Sequence, residues 1–202
     1  MFGRLFKANP QQNAAEELYN AIVAQARQPA FYASCGVPDT LDGRFELVVL
    51  HAFLAFRRLK ADGAETADLA QLLFDVLFRD MDRSLREIGV GDLSVGKKVR
   101  TMAEGFYGRV EAYERALQAS GESDGENEGA DLEAALRRNL YGTAEPEPAQ
   151  LASVARYLRR ESEALAAQPT AALTAGKIAF GEAPKPLQAV DSVEPREPDT
   201  GR

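Results

Sequence analysis

Four carboxylates on one predicted helix are the residues whose types and spacing come nearest to a site for chemistry. Asp75 and Asp82 lie seven residues apart, and Asp80 and Glu87 repeat that spacing, so each pair falls on one helix face. Carboxylate metal sites in helical bundles also take histidine from a facing helix, but the single histidine, His51, lies inside an apolar run. Ion pairs with arginines four residues away explain three of these carboxylates, namely Asp75, Asp82 and Glu87. The sequence therefore predicts no metal site and no cofactor.

A cysteine nucleophile is a second chemistry to consider. Cys35 lies in a Ser-Cys-Gly loop, but a catalytic thiolate needs a neighbouring base, and the only histidine is expected to be buried. A packed or loop cysteine is the simpler interpretation. As the only cysteine, it also excludes an intramolecular disulfide.

A glycine-rich stretch matches the phosphate-loop spacing once, from Gly91 to Gly96 and Lys97. Lys98 stands where that motif has serine or threonine, and no strand is predicted before it, so the match lacks its structural context. We therefore predict that the protein is not an enzyme. An enzyme built on the carboxylates is kept as an alternative hypothesis.

The composition is that of an ordinary globular protein, because 45% of the 202 residues are hydrophobic and 27% are charged. The formal net charge of -7 argues against nucleic acid as a partner. No apolar run reaches the roughly 20 residues that a transmembrane helix needs. Residues 1–7 combine Phe2, Leu5 and Phe6 with two basic residues. This pattern predicts either weak binding of the N-terminus to a membrane surface or a frayed terminus.

Apolar residues recur at steps of three and four along most of the chain, which predicts helices and almost no strand. The run at 44–61 is apolar nearly all round, so we expect it at the centre of a bundle. The expected helices lie at 13–28, at 44–61, twice between 65 and 117, at 132–141 and at 149–167, with last turns within 169–180.

Two long helices are expected to meet at a tight elbow in residues 89–94. Gly89 is placed to take a positive φ after the first helix, and Ser94 to cap the second. Gly105 and Gly108 lie inside the second helix, where each costs roughly 1 kcal/mol relative to alanine. One explanation is that another backbone or a partner approaches the helix closely at these positions. The other is simple packing of small residues between helices.

The sequence thus predicts an all-α fold, a single compact bundle of about six or seven helices. Residues 1–12 are the expected flexible N-terminus, and 13–180 form the helical domain. Within that domain, 120–130 is expected to be a flexible acidic linker, because its first ten residues include four acids and no apolar side chain. Four prolines among the charges of 181–202 predict a disordered C-terminal tail.

A series of motifs runs in order through the middle of the chain: Phe-Tyr and Gly-Val-Pro-Asp-Thr in 31–40, Gly-Arg-Phe-Glu-Leu in 43–47, Phe-Arg-Arg-Leu in 51–59, Phe-Arg-Asp-Met-Asp and Ile-Gly-Val-Gly-Asp in 74–92, Val-Gly-Lys-Lys-Val in 95–99 and Phe-Tyr-Gly-Arg in 106–109. Together these motifs resemble the ubiquinol–cytochrome c chaperone family. The resemblance covers roughly residues 14–167 and is to an α-proteobacterial-type member.

This resemblance implies an α-helical assembly factor for the cytochrome bc1 complex that binds newly made cytochrome b as its client. It also implies a small partner subunit or the ribosome as further partners. The expected location is the cytoplasm, with residues 1–7 as the candidate for peripheral association at the inner membrane. A generic helical protein-interaction or scaffold protein is the alternative.

Residues around the elbow are candidates for client or partner binding, because they combine aromatic and methionine side chains with a charged rim. Each could equally lie in the core or on a solvated surface. The candidates are Tyr32, Phe78, Asp80, Met81, Asp82, Arg86, Asp92, Lys98, Met102, Phe106, Tyr107, Arg109 and Tyr113, with Phe74 in the same expected groove.

Overall fold

The computed structural model describes residues 9–122 and 130–184. Within these ranges every regular element is helical, which confirms the predicted all-α fold. No described helix is both long and apolar enough to cross a membrane. The elements in chain order are α1 (Pro10–Ala26), α2 (Pro29–Ala33), α3 (Leu41–Ala61), a 3₁₀ turn (Gly63–Glu65), α4 (Ala67–Glu87), α5 (Asp92–Glu122), α6 (Ala130–Leu136), a π-helical segment (Arg137–Tyr141), α7 (Pro148–Ala166) and α8 (Thr170–Thr174).

Helix α3 is the centre of the bundle, as its apolar composition predicts. Thr40 caps its N-terminus by accepting a hydrogen bond from the Gly43 N–H at 3.1 Å. Gly43 has no room for a side chain, since a Cβ there would lie 2.0 Å from the Pro38 carbonyl oxygen. The helix packs against α1, α4, α5 and α7 and buries most of its side chains. The other long helices therefore take their positions from α3.

The elbow between α4 and α5 is shorter than predicted. Gly89 has φ of 87°, and the Val90 N–H donates to the Leu85 carbonyl at 3.0 Å, so the glycine ends α4 as expected. Helix α5 begins at Asp92, which puts Ser94 inside the first turn. The prediction that Ser94 caps α5 is therefore wrong.

Three predicted boundaries also shift. Helix α1 begins at Pro10, with the Asn9 side chain accepting from the Gln11 N–H at 3.1 Å, so residues 10–12 are helical rather than flexible. Helix α5 continues to Glu122, which makes residues 120–122 helix rather than linker. Residues 181–184 pack on α7 instead of belonging to a disordered tail, because the Gly181 N–H donates to Glu161 Oε2 at 2.7 Å and Pro184 is buried. The predictions for 1–8, 123–129 and 185–202 fall outside the described residues.

Candidate functional site

An open groove of about 890 Å³ lies beside the elbow. Its walls come from the beginning of α3, the end of α4, the first half of α5 and the π-helical segment. Because four separate segments of chain supply these walls, the groove exists only in the folded bundle.

The walls of this groove carry apolar side chains that are open to solvent. Met81, Leu85 and Ile88 follow one another at helical spacing on α4, and Met102 faces the groove from α5. Leu41 at the start of α3 is 62% exposed and Ile88 is 58% exposed. Exposed aliphatic side chains and partly exposed methionines around a concavity suit an apolar protein segment, and methionine adapts to partners of different shape.

The base of the groove is closed by an ion pair between α3 and α5. Arg109 Nε donates to Glu46 Oε2 at 2.5 Å, its Nη2 donates to Oε1 of the same carboxylate, and its Nη1 donates to the Gly105 carbonyl at 3.0 Å. Burial raises the pKa of Glu46 above its ordinary value, and the hydrogen bond and charge of Arg109 oppose that shift. With all three nitrogens bonded within the protein, Arg109 acts as a brace between helices.

The two helix-interior glycines have different surroundings from those proposed on sequence grounds. A Cβ on Gly105 would lie 2.8 Å from Arg109 Nη1, so this glycine makes room for the bracing guanidinium. A Cβ on Gly108 would meet nothing within 4 Å. No second backbone within the described ranges approaches either glycine.

Charged side chains line the mouth of the groove. Lys98 and Arg138 are exposed and form no ion pair with any described residue. Asp42 lines the α3 side of the same mouth. The rim therefore has a net charge of +1, from Lys98, Arg138 and Asp42. The ion pair at the base adds no net charge.

Of the residues singled out from the sequence, Met81, Lys98, Met102 and Arg109 line this groove. Phe106 and Tyr113 do not, and the prediction that they form part of the binding surface is corrected, because they are 3% and 0% exposed. Seven residues apart on α5, both turn toward the core. Tyr113 packs on Phe53 with ring centroids 5.5 Å apart, and burial raises the pKa of its hydroxyl.

A second aromatic group lies on the α4–α5 face outside the groove. The Phe74 and Phe78 rings are 4.5 Å apart, and Tyr107 stacks on Phe74 at 5.8 Å. The buried Phe106 packs against this group from the core side, with its ring centroid 6.1 Å from that of Phe74. Tyr107 is 60% exposed, so it is the member most available to a partner.

The charged candidates at the end of α4 form surface pairs rather than a site. Arg86 pairs with Asp82 at 2.6 Å and also with Asp92 across the elbow. Asp80 turns toward α1, where it accepts a hydrogen bond from the Tyr19 hydroxyl at 2.7 Å. This arrangement matches the ion-pair interpretation for Asp82, and Glu87 lies 3.9 Å from Arg83 as expected. The expected pair of Asp75 with the arginine four residues on is not formed, because Asp75 accepts a hydrogen bond from Gln71 at 2.9 Å and that arginine turns to Glu16.

Tyr32 lies away from the groove on α2, where its hydroxyl donates to the Ala26 carbonyl at 3.1 Å. Sequence reasoning missed Arg138, Leu41, Leu85 and Ile88 as residues of the groove. The apolar stripe of α4 contained the last two, but it gives no sign of where the neighbouring helices stop covering it.

The histidine and the cysteine are both structural. His51 Nδ1 lies 2.7 Å from the Leu47 carbonyl, which can only accept, so Nε2 accepts from the Tyr157 hydroxyl at 2.9 Å. Burial lowers the pKa of His51 to about 4 and raises the pKa of the Cys35 thiol to about 11. In the part of the chain that is described, no three His, Cys, Asp or Glu side chains are grouped closely enough to hold a metal ion.

Comparison with known proteins gives the chain a family. A family model described as "Ubiquinol-cytochrome C chaperone" matches residues 33–180. The chain belongs to this family. The match includes the groove and the elbow, and it confirms the resemblance seen in the sequence motifs.

Animal relatives are distant in sequence, but the similarity extends over most of the chain. Ubiquinol-cytochrome-c reductase complex assembly factor 1 from Xenopus laevis is 24% identical over 152 residues, which is 75% of this chain and 72% of that protein. The Mus musculus protein of the same name is 23% identical over 75% of this chain, and only 49% of its own length is covered. The chain therefore spans about half the length of the mouse relative.

A solved structure supports the fold independently. The crystal structure of the Cbp3 homolog from Brucella abortus superposes with a TM-score of 0.74 and 38% sequence identity, covering 86% of this chain and 92% of that chain.

Proposed function

We propose that this protein is an assembly chaperone for the ubiquinol–cytochrome c reductase (bc1) complex and that it binds newly made cytochrome b. Family membership and the relatives named as assembly factors of that complex support this function. The protein acts by binding rather than by catalysis. This agrees with the chemistry around the groove, where the one buried carboxylate is already paired with Arg109.

The solvent-open apolar groove is the observation that carries the proposal for client binding. A subunit destined for a membrane exposes apolar helices before insertion, and these need a temporary apolar cover. Met81, Met102, Leu41 and Ile88 provide that cover. The exposed cation Lys98 fits a client segment that carries an acid at the end of its apolar stretch.

Capture of cytochrome b from a mild-detergent extract tests the groove. Met102→Glu places a charge among the apolar contacts and is expected to lower capture at least tenfold, because a buried unpaired charge is costly. The matched control is Gln118→Glu, an exposed position further along α5 with the same added charge. Equal capture by both variants, with both folded by circular dichroism, would show that the client does not use this groove.

Deletion of the gene in its host tests the assembly role separately. We expect lower cytochrome b levels and lower bc1 activity, restored by the wild-type gene. Normal levels of both would leave a general scaffold with an unrelated partner as the better description. Small partner subunits and the ribosome are further proposed partners, to be sought in the same captured material.

A further inference from the structure

The chain after α8 is extended and is held by side chains from α1, from α7 and from the turn after α7. We define the strap as residues 177–184. Ile178 and Phe180 pack against the core, whereas Ala179 and Gly181 are exposed. This alternation of inward and outward side chains is that of an extended peptide. The strap therefore lies on the bundle as a bound peptide would, although it belongs to the same chain.

Side chains of the bundle bond to the backbone of the strap at alternate residues. The Gln168 amide donates to the Ala179 carbonyl at 2.6 Å and accepts from the Ala179 N–H at 3.1 Å. Two residues further on, Gln25 donates to the Gly181 carbonyl at 2.9 Å, and Glu161 accepts from the Gly181 N–H at 2.7 Å. In peptide recognition, main-chain hydrogen bonds give affinity for an extended segment, and contacts to alternate side chains give specificity.

An aromatic site receives the ring of Phe180. This ring lies edge-on to the buried His51 ring, with the centroids 5.4 Å apart. The His51 ring also lies 5.2 Å from that of Phe31 and 5.7 Å from that of Tyr157. Because edge-to-face contacts favour aromatic partners, this position of the site selects an aromatic side chain.

The next position of the strap favours glycine. A Cβ on Gly181 would lie 2.7 Å from Glu161 Oε1. Glu161 is fully buried, and Arg160 Nη2 lies 2.8 Å from the same oxygen. The carboxylate therefore has little freedom to move aside for a side chain at this position.

The strap is attached less firmly than the helices. Of its side chains only Pro184 is buried, while Ile178, Phe180 and Ala183 are partly buried. Most of the hydrogen bonds that hold it are exposed to solvent. Segments with few buried apolar contacts and exposed hydrogen bonds open at a lower free energy than the whole fold. The strap can therefore leave its site while the bundle stays folded.

We propose that α1 and α7 form a binding site for an extended segment of a partner protein, and that the strap occupies this site until it is displaced. The partner segment carries a large apolar residue, an aromatic residue two positions later and then glycine, which is the order of Ile178, Phe180 and Gly181. The residues that hold the strap are distinct from those lining the client groove. The inference therefore goes beyond the proposed chaperone function and stands whether or not the groove binds cytochrome b.

Fluorescence anisotropy with a labelled synthetic peptide of residues 175–184 tests the exchange in the full chain. In the wild type the strap competes at a high effective concentration, so the Ile178→Ser/Phe180→Ser chain, which lacks the anchors of its strap, should bind the peptide about tenfold more tightly. Adding Gln168→Ala to that chain should lower the affinity about tenfold, because both bonds to the peptide backbone are lost. Adding Gln118→Ala, which removes an exposed glutamine of α5, is the matched control and should have no effect.

Altered peptides test which side chains the site selects. Phe180→Ser in the peptide should weaken binding about tenfold, because it removes the aromatic anchor. Gly181→Ala should weaken it about threefold, because the added methyl group meets the Glu161 carboxylate. Lys177→Ala, at an exposed position, is the control and should bind like the parent peptide. Equal binding of the parent and Phe180→Ser peptides would overturn the proposal.

Hydrogen exchange of the wild-type chain measures the opening of the strap and needs no variant. The amides of Ala179 and Gly181 should exchange about a hundredfold faster than the buried amides of α3. Equal rates would show that the strap opens only with the whole fold, which would contradict the proposal. The proposal also fails if the Ile178→Ser/Phe180→Ser chain does not fold, since the strap would then be part of the core. The same holds if that chain is folded by circular dichroism but binds no peptide.

Discussion

Arg109 on α5 and Glu46 on α3 form a two-point ion pair across 63 residues of sequence. The arginine was expected at the rim of a binding surface, yet it fixes the distance between two walls of the groove. Its side chain is 27% exposed and that of Glu46 is 11% exposed, so the pair is largely removed from solvent.

Removing the arginine should destabilise the fold. Arg109→Met leaves the Glu46 carboxylate buried without its partner, and we expect the free energy of unfolding to fall by about 2–3 kcal/mol. Urea denaturation measures the change. Arg115→Met, which breaks only the exposed pair with Glu111, should cost under about 1 kcal/mol. Similar values for the two variants would show that the Glu46 pair contributes no more than a surface pair.

Alanine at the two α5 glycines should have opposite consequences. Gly108→Ala meets open space and should raise the free energy of unfolding by up to about 1 kcal/mol through helix propensity. Gly105→Ala gains the same propensity but displaces Arg109 from its bond to the Gly105 carbonyl, so its net gain should be smaller or negative. Thermal and urea unfolding of both variants make the comparison, and a larger gain at Gly105 would contradict it.

Adjacent aromatic residues on α5 should differ sharply in their contribution to stability. Phe106→Ala empties a core position that touches Phe56 and Phe74 and should cost about 3–4 kcal/mol. Tyr107→Ala removes an exposed ring and should cost about 1 kcal/mol or less. A reversed order in urea denaturation would mean that the phase of α5 differs from the one described.

Acid should weaken the fold partly through His51. Its pKa is lowered by burial from 6.5 to about 4. Between pH 6.5 and pH 4 the histidine is therefore protonated in the unfolded chain but neutral in the folded chain. The corresponding stability is present above pH 6.5 and is lost as the pH falls toward 4, by roughly 2 kcal/mol at pH 5.

The matched variant for that prediction is His51→Gln, which can still donate to the Leu47 carbonyl and accept from Tyr157 but cannot take up a proton. Its stability should fall less than that of the wild type between pH 7 and pH 5, as measured by urea denaturation at each pH. Equal losses in the two proteins would mean that other groups account for the whole acid sensitivity.

Local patterns were sufficient to predict the helices of this protein. The all-round apolar run of α3 placed it at the centre, and the position of Gly89 after an amphipathic stretch predicted where α4 ends. Periodicity and caps are properties of neighbouring residues, so the sequence carries them directly. The family motifs were likewise readable, because they are short runs of neighbouring residues in a set order.

Exposure and pairing were decided by the tertiary structure. Nothing local distinguishes Ile88, left open at the groove, from Leu77, which is buried by its neighbours on the same stripe. In the same way Arg109 and Tyr107, two residues apart, look like equal surface candidates until α3 brings Glu46 to one of them. Coverage by a helix that is distant in sequence has no local signature, so the candidate site emerged only once the bundle had packed.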